Sequence, residues 1–146
     1  MTTSTPDSAQ PTPRPDRAAI LTEVIRVVLV DDHLLVRMHT RRLLQEIPGM
    51  VVVGEASDGF EGVAMTRTLL PDLVCMDISM PGLDGVEATR RIRAECPRAR
   101  VLILSSHAEK SYQEQAMAAG AHGYLVKGAG LQSFLLAVER VLAAPK

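Results

Sequence analysis

The sequence predicts an α/β domain with one parallel sheet of five strands covered by helices on both faces. Three observations carry this reading. Five short apolar or β-branched runs recur along the chain, stretches of helical periodicity separate them, and Gly, Pro or Asp stands at most junctions. No internal repeat is present.

The first run, "IRVVLV" (25–30), is almost wholly apolar and ends in Asp31-Asp32. A helix follows from near Leu34, with Val36, Leu43, Leu44 and Ile47 on one face. The second run, "MVVVGEA" (50–56), mixes in Gly54 and Glu55, which suits an edge strand. Asp58-Gly59 opens the next helix and Pro71 follows its end. The third run, "LVCM" (73–76), delivers Asp77 to its tip, then "SMPGLDG" makes a loop before Val86, Ala88 and Ile92 resume a helix that Pro97 stops. "VLILS" (101–105) is the fourth strand, and the helix after it closes at Gly120. "GYLVK" (123–127) is the fifth, followed by a helix whose inward face is read as Leu131, Leu135, Val138 and Leu142. Right-handed crossovers give the predicted strand order 2-1-3-4-5, with the ligand site outside the carboxyl ends of strands 1 and 3.

The chain has 146 residues, a hydrophobic share of 47% and a net charge of −1. That allows one domain, read as residues 23–146, and offers no global attraction to nucleic acid or anionic lipid. Residues 1–22 are rich in Ser, Thr and Pro with little to bury, and are read as a disordered tail. With no apolar h-region, no spanning stretch and only two cysteines, Cys75 and Cys96, the expected location is the cytoplasm.

The predicted topology brings Asp31, Asp32, Asp77, Ser105 and Lys127 to the same end of the sheet. Three carboxylates in a partly desolvated cleft repel one another, so a cation must neutralise them. The candidates are Lys127 and a divalent ion. All-oxygen donors suit a hard cation such as Mg²⁺, which keeps sites open for water and phosphate oxygens. This is the chemistry of phosphoryl transfer, where a metal, an ammonium and a hydroxyl share the charge of the transferring group. Asp77, held rigidly at a strand tip, is then a competent nucleophile for phosphorus.

Asp31-Asp32 after "VVLV", Asp77 in "MDISMPGLDG", Ser105 in "LILSS" and Tyr124 with Lys127 in "GAHGYLVK" resemble the receiver domain of bacterial two-component response regulators. "DDHLLVR", "VVGEASDGFEG" and "GAHGYLVKG" look like its NarL/FixJ-type branch, and the likeness runs from about Arg26 to Leu142. The resemblance implies a flavodoxin-like (βα)5 fold and a phosphorylation-activated switch. Asp77 would accept a phosphoryl group from a sensor histidine kinase. Mg²⁺ would be held by Asp32, Asp77 and the main-chain carbonyl of Ser79, with Asp31 acting through a water. Lys127 and Ser105 would bind phosphate oxygens, and Tyr124 would turn inward as Ser105 moves, changing the surface of helix 4, strand 5 and helix 5. Such a domain catalyses only its own phosphotransfer and dephosphorylation. Its output, transcription, would run through a DNA-binding domain absent from this chain, which itself contacts neither DNA nor membrane. A homodimer is a further partner the resemblance allows. The alternative is a phosphorylation-independent dimerisation or docking module.

Plainer readings stand beside these. A strand-end Asp is commonly a cap or turn former, Lys127 a solvated lysine and Tyr124 a half-buried aromatic. It is their coincidence at one sheet edge that favours a site. His33, His39, His107 and His122 are read as surface or capping residues, although His107 and Ser79 fall where they could tune an acyl phosphate's lifetime. An aspartyl phosphatase would want a second acid two residues beyond Asp77, where this chain has Ser79. Arg90, Arg91, Arg93, Arg98 and Arg100 read as a solvated face, and Arg37, Arg41 and Arg42 as either a kinase-docking or a solubilising face.

Overall fold

The computed structural model describes residues 23–145. The expectation of a disordered tail over residues 1–22 lies outside the described residues.

Five strands and five helices alternate: β1 Ile25–Val30, α1 Leu34–Leu44, β2 Met50–Ala56, α2 Gly59–Leu69, β3 Leu73–Met76, α3 Gly85–Glu95, β4 Arg100–Ser105, α4 Lys110–Ala118, β5 Gly123–Val126 and α5 Leu131–Ala143. The sheet runs β2-β1-β3-β4-β5 and every neighbouring pair is parallel. This is the predicted order, with β2 as an edge strand. One register shift falls between Val27 and Val28, where β1 passes from Val52 to Gly54 on β2. Gly54 lets α2 pack closely there: a Cβ would sit 2.5 Å from Met65 Sδ and 2.9 Å from Leu69 Cδ1.

The period-2 alternation of the central strands splits the core into two layers. Val28, Val30, Val74, Met76, Val101 and Ile103 face one side and pack with Val63 of α2, Ala88 and Ile92 of α3 and Ala116 of α4. Val27, Leu29, Leu73, Cys75, Leu102 and Leu104 face the other, against Leu44 of α1 and Phe134, Val138 and Val141 of α5. Burial on both faces explains why β1, β3 and β4 read as continuous apolar runs.

The last helix differs from its sequence reading. α5 buries Phe134, Val138 and Val141, whereas Leu135 and Leu142 are half-buried and Leu131 lies exposed. The inward stripe is rotated toward Phe134, because the largest apolar side chain takes the deepest position over β4 and β5.

Caps hold the helices in place. Asp58 accepts a hydrogen bond from Glu61 N at 2.8 Å and Asp84 from Glu87 N at 2.9 Å, so the aspartates of Asp58-Gly59 and Asp84-Gly85 are N-caps. Asp31 and Asp32 do not cap α1 in this way: the N-cap is His33, with no side-chain cap bond.

Candidate functional site

Each strand leaves its last backbone groups bonded to a neighbour, which sets the heights of the residues that follow. Asp31 N donates to Ala56 O at 3.0 Å, Asp77 N to Val30 O at 2.9 Å and Lys127 N to Ser105 O at 2.8 Å. Parallel pairing therefore lines up Asp31, Asp77, Ser105 and Lys127 at one edge, as the topology required.

The side chains converge. Lys127 Nζ lies 2.8 Å from Asp31 Oδ2 and 3.2 Å from Asp77 Oδ1. Asp31 and Asp77 are both buried. Asp31 Oδ1 accepts from His33 N at 2.9 Å and lies 3.2 Å from His33 Nδ1. Asp32 Oδ1 is buried and has no hydrogen-bond partner among the described residues. One ligand atom from each of Asp31, Asp32, His33 and Asp77 falls within 4.8 Å of the others.

The electrostatics follow from the burial. The Asp77 carboxyl is pushed above its ordinary value, first by desolvation, then by the Asp31 charge, and Lys127 only partly offsets this. Burial alone would depress Lys127, but its hydrogen bond to Asp31 and the Asp77 and Asp31 charges overcome that and hold it above its usual value. One lysine among three acids leaves a net negative cleft with an orphaned buried oxygen. That is a fit for a hard divalent cation.

The loop after β3 is shaped around Asp77. Gly85 N donates to Ile78 O at 2.8 Å, and a Cβ on Gly85 would stand 1.9 Å from Asp77 O. Met80 and Leu83 are buried, anchoring the loop to the core, and Gly82 takes φ 79° at its turn. The proline-glycine signal after Asp77 thus folds the chain back under the carboxylate.

Ser105 is fully buried, but its Oγ accepts from His107 N at 3.0 Å and is not bonded to the acids. Tyr124 donates its hydroxyl to His107 O at 2.6 Å. Ser79 is exposed, its Oγ 2.8 Å from His107 Nε2, and the His107 ring stacks on Tyr112 at 4.0 Å. His107 therefore joins the Asp77 loop, Ser105, Tyr124 and α4. The sequence, through its place two residues after Ser105, marks His107 together with Ser79 as able to act near the acids, but not its bond to Tyr124 or its stacking on Tyr112.

Arg37 was also under-read. Its Nη1 donates to Asp31 O at 2.6 Å and its Nε to Glu55 at 2.9 Å, while Arg41 pairs with the same Glu55. The Arg41 hydrogen bond, with help from Arg37, holds the Glu55 carboxyl below its ordinary value. Two of the three α1 arginines thus brace the Asp31 turn and the edge strand. In α3, Arg90 and Arg91 pair with Glu87, as a solvated face would.

A parallel five-stranded sheet with an acidic cleft and a lysine at the carboxyl edge defines a small-molecule or phosphoryl-binding α/β domain. The comparisons narrow the class. The response regulator receiver domain family matches residues 27–139. Response regulator UvrY of Escherichia coli strain K12 is 45% identical over 123 residues, covering 84% of this chain and 56% of the relative. Response regulator GacA of Pseudomonas aeruginosa is 41% identical over 123 residues, covering 84% and 58%. The LuxR-family two-component response regulator from Aurantimonas sp. SI85-9A1 superposes with TM-score 0.79 at 41% identity, covering 83% of this chain and 86% of that one. The receiver domain of the response regulator NarL from Mycobacterium tuberculosis does so with TM-score 0.79 at 35% identity, covering 84% and 99%. This chain belongs to the response regulator receiver domain family, and its likenesses agree with the NarL/FixJ-type branch. It spans a little over half the length of the curated relatives it matches. Among the described residues no helix is long and apolar enough to cross a membrane.

Proposed function

We propose that the domain is a phosphorylation-controlled switch that takes a phosphoryl group on Asp77 from the phosphohistidine of a sensor kinase. A carboxylate oxygen of Asp77 attacks phosphorus and forms the O–P bond of an acyl phosphate. The P–N bond of the donor breaks, and its electron pair stays on the donor imidazole, which takes up a proton. Asp32, Asp77 and the main-chain carbonyl of Ser79 would hold Mg²⁺, with Asp31 acting through a water. Bound there, the ion supplies charge neutralisation between the acids and the phosphate oxygens.

The observation that carries this reading is Lys127 reaching both Asp31 and Asp77 while Asp77 is buried and pushed toward protonation. The lysine keeps one positive charge at hydrogen-bond range of the acceptor carboxylate, where it can follow an arriving phosphate oxygen. Ser105 supplies the hydroxyl for a second oxygen if it releases the His107 N–H. Tyr124, tied to His107 O, is thereby coupled to the same movement, and the surface of α4, β5 and α5 is the readout. Each charge-assisted hydrogen bond is worth about 1.5–3 kcal/mol, enough to bias a two-state equilibrium on the order of a hundredfold. The output would be transcription, through a DNA-binding domain beyond this chain, and the setting the cytoplasm.

The test is intact-mass spectrometry after incubation with acetyl phosphate. One phosphoryl group should be gained with Mg²⁺, none with EDTA and none in Asp77→Asn. Equal labelling of wild type and Asp77→Asn would refute the assignment.

A further inference from the structure

We propose that Phe60, in the first turn of α2, is a positioning residue for the phosphoacceptor loop: its ring covers the Gly82 turn and so holds Asp77 at the angle needed for attack on phosphorus. The inference rests on the Asp77 reading above and deepens it, by naming a side chain outside the acidic cleft that acts through the loop.

The chain has two phenylalanines, and they are placed in opposite ways. Phe134 is 1% exposed in the core, whereas Phe60 is 57% exposed. A single exposed aromatic needs no function of its own. Phe60 is set apart by its neighbours. A Cβ built on Gly82 would lie 3.4 Å from Phe60 Cε2 and 3.7 Å from Phe60 Cδ2, and within 4 Å of no other atom of the described residues beyond its chain neighbours. The ring edge therefore lies over the side of Gly82 that has no side chain. The Arg91 guanidinium of α3 stands over the same ring, 5.8 Å from its centroid, so the aromatic links α2, the loop and the helix that follows the loop.

The loop lacks an anchor of its own at this point. Met80 and Leu83 are buried, but Pro81 and Gly82 between them are exposed, and Gly82 at φ 79° has no side chain to fix it. Phe60 can restrain it because α2 begins rigidly. Glu61 N donates to Asp58 Oδ1 at 2.8 Å and Ser57 N donates to Glu61 Oε1 at 2.7 Å, reciprocal bonds about the first turn. Gly59 lets that turn approach the loop backbone, since a Cβ there would collide with Leu83 O. Two adjacent residues of α2 thus meet two adjacent residues of the loop, Gly59 with Leu83 and Phe60 with Gly82. Contacts at two neighbouring points fix an angle as well as a distance, and orientation is what in-line attack by a carboxylate requires.

The probe is acetyl phosphate with MgCl₂ added to the full chain, with labelling followed by intact mass over time and amide hydrogen exchange read on peptides. Phe60→Ala should lower the maximal labelling rate about fivefold and change the half-saturating acetyl phosphate concentration by less than about twofold, because the ring meets the loop and not the donor. Amide exchange over residues 78–85 should quicken severalfold, with α5 unchanged. Phe60→Tyr, which keeps the ring, should restore both. Leu70→Ala, at an exposed apolar position just past the other end of α2, should alter neither. A Phe60→Ala labelling rate like that of wild type, faster exchange spread evenly through the domain, or failure of Phe60→Tyr to restore the rate overturns the proposal. Should Phe60→Ala unfold, Phe60→Leu, which keeps bulk but loses the flat ring, is held to the same criteria. If wild type takes up no phosphoryl group, the Asp77 reading fails, and exchange over residues 78–85 alone decides whether Phe60 holds the loop.

Discussion

The two ends of the sheet use their charged residues in opposite ways. At the amino end the charged side chains meet main-chain partners. Arg26 N donates to Asp72 Oδ2 at 2.8 Å, and Arg26 Nη1 reaches Leu69 O at 2.5 Å and Leu70 O at 3.1 Å, covering the C-terminal carbonyls of α2. Arg100 Nη2 does the same for Ala144 O beyond α5, at 2.9 Å. Cations at helix C-termini satisfy orphan acceptors and complement the dipole. At the carboxyl end Asp31 and Asp77 share one lysine, an oxygen of Asp32 is buried without a hydrogen bond among the described residues, and Asp77 is pushed toward its neutral form. One end is built for stability, whereas the other keeps an unresolved charge for a cation and a phosphate to resolve.

The largest effect that sharpens this contrast is expected from Gly85→Ala. A Cβ there would lie 1.9 Å from Asp77 O and 2.8 Å from Ile78 Cα, both backbone atoms that cannot give way cheaply. Urea unfolding should show a loss of about 2–4 kcal/mol. A variant as stable as wild type would mean that the Asp77 loop is not held as described.

A smaller, paired effect should separate the ends by sign. A carboxyl whose pKa rises on folding contributes stability below its unfolded value and loses it as pH rises through the folded value. Ionised Asp77 is therefore a net cost near neutrality when EDTA removes cations. Asp77→Asn should raise Tm there by a few degrees, and the gain should fade as pH falls below the ordinary carboxyl value, where Asp77 is protonated in both states. Asp72→Ala, at the other end, should instead lower stability by about 1 kcal/mol, through loss of the bond from Arg26 N. If both substitutions shift Tm the same way, the two ends are not doing different work.

Much of this was legible in the sequence. The strand runs agree with the structure to within a residue: β4 begins at Arg100 rather than Val101, and β5 ends at Val126, leaving Lys127 just beyond it. Parallel strands buried on both faces have a strong signal, and parallel pairing forces their carboxyl ends together. Asp31, Asp32, Asp77, Ser105 and Lys127 could therefore be placed at one edge before any contact was known.

What was not legible depends on neighbours far along the chain. The Arg37 bond to Asp31 O and the joint at His107 depend on which rotamer a loop or helix side chain adopts against a distant element. Phe134 was passed over because several leucines of α5 fit an apolar stripe equally well, and only the shape of the core over β4 and β5 selects among them. His33 has no distinguishing spacing. Its nearness to Asp32 Oδ1 is a fact of the turn between β1 and α1.

The central claim is that Asp77, and no other side chain, forms the mixed anhydride with phosphate. Borohydride reduction of the acetyl phosphate-treated protein, followed by peptide mapping, tests it directly, because hydride converts a phosphorylated aspartate to homoserine. Homoserine at position 77 alone is the expected result. Homoserine at Asp31 or Asp32, or phosphate retained on a histidine with position 77 unmodified, would contradict the account.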